Sequence, residues 1–485
     1  MSVATAPAPA AQETSGAPPY RWRWLVLATV LAVEVMDLLD STIVNVAAPT
    51  IRTDLGGSYT AIQWIAAGYT LAFAVMLVTG GRLGDIVGRR RMFVIGAAGF
   101  MLTSVLCAFA QSPEMLVTSR VLQGALGAVM VPQGFGIIKQ VFPPADLGKA
   151  FGAFGPVIGL SAVCGPILAG ALIDADLLGT GWRMIFLINV PVAAAAIVGA
   201  LVLMPESRSP GATRLDLPGA VLVTAALLLL VYPLVQGREL GWPWWSYAMM
   251  IAAVPVLAGF VAYERRRVAS PLIELSLFAR RAYTAGLLVV TGFFAGLVGL
   301  MLVFGLYLQV GLGYSPLHAG LTFAPWAFGM ALGAAVSGGV LGPRYGRPVI
   351  HAGLLIMLAG LVGLAVTVHT VAVPASTWQL LPGLVVCGIG AGLCVSPLFD
   401  IILAGVEEHE VGSGSGVLNA VQQFGGAVGV AVLGTVFFSL LGRHAGAPAA
   451  AFSDTIQWLL LVTAAVVLVT AVLTGLLPRR ARPEH

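Results

Sequence analysis

Two ten-residue stretches of this sequence share one pattern: Gly80-Gly81-Arg82-Leu83-Gly84-Asp85-Ile86-Val87-Gly88-Arg89 and Gly338-Gly339-Val340-Leu341-Gly342-Pro343-Arg344-Tyr345-Gly346-Arg347. Both read G-G-x-L-G-x-x-x-G-R, and each follows the second long apolar segment in a series of six. Two equivalent six-helix halves are a known plan of polytopic membrane proteins. The repeat therefore predicts two halves that place the same loop on the same side of a bilayer.

The composition agrees with a chain that lies mostly in a bilayer. Of its 485 residues, 58% are hydrophobic and 9% are charged, whereas soluble proteins carry about 25% charged residues. So few charges cannot cover the surface of a soluble protein of this length. The 60 glycines would let membrane helices pack closely. The predicted fold class is an all-α polytopic membrane protein.

Apolar segments of about 20 residues, the length that spans a bilayer, recur about fourteen times along the chain. They lie near 24–46, 60–81, 91–111, 115–138, 148–172, 183–204, 216–236, 244–263, 282–310, 317–341, 348–369, 378–402, 412–441 and 456–477. The predicted organisation is a disordered N-terminal tail (1–20), an N-terminal six-helix half (21–205), an inserted two-helix linker region (206–281), a C-terminal six-helix half (282–478) and a C-terminal tail (479–485).

The Lys and Arg residues are distributed unevenly between the two sides of the predicted bilayer. Of the 25, twenty lie on the side of the N-terminal tail and one, Arg120, lies within a span. The other four are Arg52, Arg183, Arg238 and Arg443. Because positive residues concentrate in cytoplasmic segments, both termini are predicted to be cytoplasmic in a multi-pass protein of a bacterial inner membrane. The side of the N-terminal tail is called the inner side below, and the opposite side the outer side.

Several function classes find no support in the sequence. No basic run with interleaved aromatics indicates nucleic-acid binding, and the four cysteines form no CxxC pair that would indicate a metal site or a disulfide framework. The spans contain no histidine cluster, HExxH or GxSxG, which argues against a membrane-embedded enzyme. The charged residues within the spans argue against a receptor that transports nothing.

The first span contains three acidic residues, Glu34, Asp37 and Asp40, and Arg120 is the only basic residue within a span. Ionisable groups are costly in a membrane and mark functional sites. The acids are three residues apart, so neighbouring pairs share a helix face, and the rise of 1.5 Å per residue places Glu34 nearest the midplane. Such a carboxyl group can bind a proton from outside and release it inside. The alternative is an acid near the outer helix end that is hydrated or caps the helix.

Motifs of the first half resemble those of one known family. They are Leu39–Pro49 in span 1, Gly81–Arg90 after span 2, Arg120–Ala125 in span 4 and Gly165–Gly170 in span 5, joined by Gly181–Pro191 and Tyr307–Leu317. Their order, with the inserted pair, is similar to that of the fourteen-span drug:proton antiporter family of the major facilitator superfamily, which includes multidrug and quaternary-ammonium exporters. Ala48, Leu147 and Ala169 depart from the family pattern.

The resemblance implies that Asp40 is the first candidate for proton coupling or substrate binding. For Arg120 it implies a role in a proton relay, while a structural role as the partner of a carboxylate stays open. It assigns gating and conformational change to Gly81, Asp85, Gly88, Arg89, Gly165, Pro166 and Gly170. In the loop, Asp85 could face a helix N-terminus, whose partial positive charge favours an acid. Two alternatives to a gating role stay open: the arginines of the loop serve only to orient the protein in the membrane, and the glycines of span 5 serve only close helix packing.

The function expected is that of a proton-coupled multidrug efflux antiporter that exports amphipathic or cationic small molecules by alternating access. Protons are the coupling ion, and no cofactor or metal is expected. A dedicated metabolite or lipid exporter and an uptake symporter of the same fold stay open as alternatives. Candidates for the cavity wall are Asn45, Gln63, Trp64, Tyr69, Tyr307, Gln309 and Trp326. We expect a small-molecule substrate and the lipid bilayer as partners, no nucleic acid, and function as a monomer; the need for an adaptor protein stays open.

Overall fold

A computed structural model describes residues 20–143, 146–147, 150, 153–208, 215–266, 274–370, 376–404, 406, 411–441 and 448–479. Within these ranges the chain is helical and contains no strand. The predicted N-terminal tail (1–20) lies outside the described residues except for Tyr20, and the C-terminal tail (479–485) except for Arg479. The Tyr20 hydroxyl donates to the carbonyl oxygen of Leu203 at 2.9 Å, which joins the start of the first helix to the end of the sixth.

The described residues form fourteen long helices, arranged as six, a pair and six. The first six are α1 (Arg23–Leu55), α2 (Tyr59–Val87), α3 (Arg89–Ala108), α4 (Pro113–Val141), α5 (Phe154–Ala175) and α6 (Gly181–Leu203). The pair is α7 (Leu217–Gln236) and α8 (Trp244–Arg266). The last six are α9 (Arg281–Gly311), α10 (Pro316–Tyr345), α11 (Arg347–Thr370), α12 (Thr377–Leu403), α13 (Val411–Leu441) and α14 (Pro448–Thr474).

Twelve of the helices in the described residues are long and apolar enough to cross a membrane. The remaining two are α1 and α5. In α1 the acids Glu34, Asp37 and Asp40, together with the arginines at its ends, exceed the number of charged residues that the test allows in one span. In α5 several side chains before Cys164 are not described, and Cys164–Ala175 alone counts as a shorter apolar helix. A multi-pass membrane protein is therefore established, and the count of fourteen spans stays a prediction.

Serine residues begin four of the helices at their outer ends. The hydroxyl oxygens of Ser58, Ser112 and Ser315 accept hydrogen bonds from backbone N–H groups in the first turns of α2, α4 and α10. Ser376 forms a reciprocal capping box with Gln379 at the start of α12. Each cap satisfies a donor that has no partner within the helix, so the sequence itself sets these helix starts.

The two six-helix halves pack in the same way, as the repeated loop predicts. In the first half α2 packs on α4, α3 on α4, α1 on α5, and α3 on α6. The same pairs recur in the second half as α10 on α12, α11 on α12, α9 on α13, and α11 on α14. Both repeated loops also place a glycine at positive φ, with φ of 127° at Gly88 and 62° at Gly346. Side chains rarely adopt these angles, which explains why glycine occupies this position in both copies.

The halves meet along two seams that are equivalent under the repeat, α2 against α13 and α5 against α10. The inserted pair lies beside the first seam, with α7 in contact with both α2 and α13. Trp64 Nε1 on α2 donates to Gln236 Oε1 at 3.4 Å, and Thr435 Oγ1 on α13 donates to the Leu234 carbonyl oxygen at 2.8 Å. The pair thus contacts both halves across the seam at which they meet.

Candidate transport site

The three acids of α1 are buried inside the protein and do not face lipid. Glu34, Asp37 and Asp40 are 8%, 5% and 1% exposed. They follow one another at intervals of three residues, as the sequence predicts, but their surroundings differ. The hydrogen-bond partners of each carboxyl group decide what it can do chemically.

Asp40 is held by donors from two other helices. Its Oδ2 pairs with Nη1 of Arg120, and its Oδ1 accepts hydrogen bonds from Asn189 Nδ2 at 2.7 Å and from Gln123 Nε2 at 3.1 Å. Arg120 is itself 1% exposed. Removing one member of a buried ion pair leaves an uncompensated charge, which costs about 3–5 kcal/mol. A change at Asp40 or Arg120 alone is therefore costly, and the pair couples α1 to α4.

The Asp40 network continues through amide and hydroxyl groups to α3. Gln123 Nε2 donates to Ser104 Oγ at 2.8 Å, and Asn189 Nδ2 approaches the same oxygen at 3.4 Å. Arg120 Nη1 donates to Gln123 Oε1 at 2.7 Å. Four helices, α1, α3, α4 and α6, thus meet at one polar cluster.

Three members of this cluster were absent from the site residues expected from sequence. Gln123 lies within the span 4 motif, and Asn189 lies within the stretch Gly181–Pro191. Ser104 follows a plain apolar run. A buried amide within a spanning segment is costly unless it is hydrogen-bonded, so Gln123 and Asn189 were detectable from sequence, whereas Ser104 offered no such signal.

Asp37 accepts a hydrogen bond at Oδ1 from the hydroxyl of Tyr69 on α2. Tyr69 is fully buried, and the guanidinium carbon of Arg120 lies 4.1 Å from the centre of its ring. A cation over a ring face is stabilised by the ring quadrupole. Tyr69, expected as a cavity aromatic, therefore links the Asp37 carboxyl group to the Asp40–Arg120 pair.

Glu34 is the acid with the fewest described contacts. Its Oε1 is buried and has no hydrogen-bond partner among the described residues. A buried polar atom without a partner costs free energy, and each one calls for a physical explanation, such as a catalytic role or a bound ion. Among the three acids, Glu34 is thus the one whose carboxyl group accepts no hydrogen bond from a described residue.

The other cavity candidates do not gather around the acids. Gln63 Nε2 donates to the carbonyl oxygens of Val430 and Ala431 at 3.2 and 3.3 Å, and Gln309 Nε2 donates to the Val46 carbonyl oxygen at 2.6 Å. All three bonds join the two halves near their outer ends. Trp64 contacts the inserted pair, as described above, and the remaining candidates Asn45, Tyr307 and Trp326 are buried.

The span 5 motif lies at the outer part of the α5–α10 seam. A Cβ at Gly170 would overlap the backbone of Pro316 and Leu317, and a Cβ at Gly320 would overlap the carbonyl oxygen of Pro166. Only glycine allows backbones to approach this closely. Gly165 packs instead against α1, where a Cβ would meet Thr42.

A carboxylate fastens the same seam at its outer end. Asp174 Oδ2, near the end of α5, accepts from Ser315 Oγ at 2.8 Å and from the Leu317 N–H at 3.2 Å. The second bond satisfies a first-turn N–H of α10, whose partial positive charge favours an acid. Together with the contacts of Gln63 and Gln309, this bond closes the outer side between the halves.

In the loop after α2, Asp85 Oδ1 accepts from Arg89 Nη2 at 2.9 Å, and Arg89 Nη1 donates to the Gly136 carbonyl oxygen at 3.3 Å. Gly81 lies next to α4, where a Cβ would be 3.7 Å from Cβ of Pro132. At the N-terminus of α3, Glu206 Oε1 accepts from the Arg90 N–H at 3.1 Å. Glu206 is thus an acid at the N-terminus of α3, whose partial positive charge favours it.

Comparison with known proteins decides the family. The family model of the Major Facilitator Superfamily matches residues 30–430. The chain belongs to this superfamily. The chain is 55% identical over 436 residues to a probable actinorhodin transporter of Streptomyces coelicolor, with 89% of this chain and 75% of that protein covered. It is 37% identical to a puromycin resistance protein of Streptomyces alboniger (94% and 91% covered) and 31% identical to a multidrug resistance protein of Mycobacterium tuberculosis (84% and 74% covered).

Membership of the Major Facilitator Superfamily makes this chain a transporter and not an enzyme, as predicted. Its fold matches that of a bacterial homologue of the human lysosomal transporter Spinster, solved in an inward-facing, unoccupied conformation, with a TM-score of 0.67 at 18% identity over 95% of this chain and 97% of that one. Among the described residues, no group of three or more His, Cys, Asp or Glu side chains could hold a metal ion. The outer contacts above describe a superfamily fold closed on its outer side.

Proposed function

We propose that this chain is a proton-coupled exporter of amphipathic small molecules of the antibiotic type, with fourteen spans and both termini in the cytoplasm of a bacterial cell. The names of its relatives support export, since one is a probable actinorhodin transporter and another a tetracenomycin C resistance and export protein of Streptomyces glaucescens. The excess of Arg and Lys on the inner side supports the orientation. The chain would act as a monomer in the cytoplasmic membrane.

The proposal of fourteen spans rests on where the charges of α1 point. A hydropathy test counts a charged residue against a span wherever its side chain lies. The three acids of α1 are each more than nine-tenths buried within the protein, where two of them have donors, so they do not have to enter lipid. With 33 residues, α1 is longer than the about 20 needed to cross the hydrocarbon core.

Proton coupling is supported best by the unpartnered carboxyl oxygen of Glu34. We propose that Glu34 exchanges the proton, and that Asp37 and Tyr69 connect it to the Asp40–Arg120 pair. When Glu34 is deprotonated its charge is uncompensated in a buried site, so binding of a cation or a proton lowers the free energy. Because one carboxyl group would serve both ligands in turn, proton entry would favour release of a cationic substrate.

Asp40 would act through its ion pair. Any change in its charge alters the link of α1 to Arg120, Gln123 and Asn189, and therefore the packing of the first half. The glycine-lined α5–α10 seam would open as the two halves move. Gly165, Pro166 and Gly170 are then the residues at which α5 bends or slides, and the Asp85–Arg89 loop would reset on the inner side.

The test measures transport in inverted membrane vesicles, where export appears as uptake into the lumen. A panel of cationic dyes and actinorhodin are offered with and without a pH gradient. Wild-type protein should accumulate at least one compound only when the lumen is acidic. Accumulation that is equal with and without the pH gradient would contradict proton coupling. Gradient-driven movement of a compound out of the lumen would favour the uptake symporter.

Variants then test the acids one at a time. Glu34→Gln and Asp40→Asn should each abolish gradient-driven transport. The control is Glu114→Gln, which changes an exposed acid at the start of α4 and should leave transport unchanged. Expression and monodispersity are checked for Asp40→Asn because it leaves Arg120 without its partner. If Glu34→Gln retains full gradient-driven transport, Glu34 has no part in the mechanism. The same result for Asp40→Asn would exclude Asp40.

A dedicated exporter of one antibiotic is the second candidate. It is favoured by the 55% identity to the probable actinorhodin transporter, which is well above the 31% shared with the multidrug resistance protein. Under this reading actinorhodin or a related compound is transported and the dye panel is not. The same vesicle experiment therefore distinguishes the two functions without any variant.

A further inference from the structure

A cleft at the inner end of the C-terminal half is separate from the transport site. It lies where the start of α9, the start of α11 and the end of α14 meet, and its volume is about 390 Å³. Its walls are formed by Arg281 and Ala282, by Arg347, and by the segment Gly475–Arg479. Three guanidinium groups thus belong to one concave surface, and none of the lining residues carries a carboxylate.

One of the three arginines builds the wall, and the other two are available to a ligand. Arg347 Nη1 donates to the carbonyl oxygens of Gly475 and Leu477 at 3.0 and 2.7 Å, and the Arg347 N–H donates to the Arg479 carbonyl oxygen at 2.9 Å. These bonds fix the end of α14 to the start of α11. Within the described ranges Arg281 and Arg479 form no ion pair, and both side chains are exposed.

The chemistry of this cleft suits a phosphate group. Guanidinium forks match the oxygens of a phosphate in a bidentate manner, and the first turns of α9 and α11 bring additional positive potential to the same place. Basic pockets between spanning helices at the cytoplasmic surface are suited to anionic headgroups. We propose that this cleft binds the phosphodiester of an anionic phospholipid.

The surface beside the cleft favours a lipid over free phosphate. Leu476 lines the cleft and is 40% exposed, and Val472, one turn earlier on α14, is 71% exposed. Leu288 lies two turns beyond Arg281 on α9 and is 52% exposed. Residues seven apart share a helix face, so an apolar strip leads from the arginines toward the hydrocarbon core. Acyl chains can lie on this strip while the headgroup occupies the cleft.

The test uses the full chain in a neutral detergent and native mass spectrometry. Phosphatidylglycerol and phosphatidylcholine with identical acyl chains are titrated, and inorganic phosphate is added as a competitor. Wild-type protein should bind phosphatidylglycerol selectively. In the double variant R281Q/R479Q the affinity for phosphatidylglycerol should fall about 25-fold. Each arginine near an anionic lipid contributes a factor of about five, and the two factors multiply. Because both side chains are exposed and form no described ion pair, the variant should fold.

The matched control is R344Q, which removes one positive charge from the same inner side at an exposed residue outside the cleft. It should keep the wild-type affinity for phosphatidylglycerol. Equal binding of the two lipids, an unchanged affinity in R281Q/R479Q, or an equal loss in R344Q would each overturn the proposal. Complete displacement of phosphatidylglycerol by millimolar inorganic phosphate would show a site for free anions and overturn the lipid assignment.

Discussion

Gly170 offers the sharpest test of how the two halves close. A Cβ at this position would overlap the Cα of Leu317 and the carbonyl oxygen of Pro316. Both are backbone atoms of the first turn of α10, so no side-chain rotation can relieve the overlap. Insertion of a methyl group into a packed site costs about 1–3 kcal/mol. Because the overlap exists only while the outer seam is closed, Gly170→Ala should lower the ratio of outer-closed to outer-open molecules about 5- to 150-fold.

The assay is a distance measurement by pulsed electron paramagnetic resonance between two outer labels. Leu177, after the end of α5, and Trp378, at the start of α12, are 48% and 81% exposed and accept labels after replacement by cysteine. The four native cysteines are replaced by alanine. Gly170→Ala should shift the distribution toward longer distances, whereas Gly363→Ala, at a helical glycine with open space around it, should not.

The outcome of this experiment can refute the closed outer seam directly. If Gly170→Ala leaves the distance distribution equal to that of the parent protein, the α5–α10 contact does not resist opening. An equal shift in Gly363→Ala would show a general effect of alanine on helix stability. In either case, the closing role assigned to the span 5 motif would be wrong.

Three further substitutions test other parts of the structure. Asn189→Leu removes the donor that lies 2.7 Å from Asp40, and it should lower the free energy of unfolding by about 1–3 kcal/mol in a denaturant titration. Surface substitutions change this free energy by at most about 0.5 kcal/mol, so a smaller change than that would contradict a role of Asn189 in the network. Gln63→Ala removes two bonds to α13 and should lengthen the outer label distances, but less than Gly170→Ala does; no lengthening would contradict its place in the seam. Arg183→Gln breaks an exposed pair with Asp54 and should cost at most about 1 kcal/mol in the same titration; a larger loss would show that this pair has a structural role.

Much of the fold could be read from the sequence because the bilayer restricts the choices. A segment in lipid must satisfy its own backbone, so a long apolar run predicts a helix without any knowledge of its neighbours. The repeated loop predicted two equivalent halves, and α1–α6 and α9–α14 pack through corresponding helix pairs. The helix α1 departs from the simple rule, since it contains three acids that are buried within the protein.

The partners of the site residues were less accessible to sequence reasoning. The sequence placed Asp40 and Arg120 within spans, but it could not pair them, because 80 residues separate them and the pairing depends on how α1 and α4 are rotated. It also could not distinguish Asp40, which has several donors, from Glu34, whose Oε1 has none in the described residues. Resemblance favoured Asp40 and the helical rise placed Glu34 nearest the midplane, whereas the contacts show which of the two carboxyl groups has donors.

By itself the sequence determined the long helices and the acids of the first span, and it predicts which side of the membrane each loop faces. These depend on hydropathy, charge and local capping, which each segment carries independently of the others. Only the tertiary structure decided that the outer seams are closed, that α7 lies against α2 and α13, and that Asn189 and Gln123 hold Asp40. Such contacts join residues far apart in the chain, and they are set by helix rotation and close glycine packing, which no local pattern encodes.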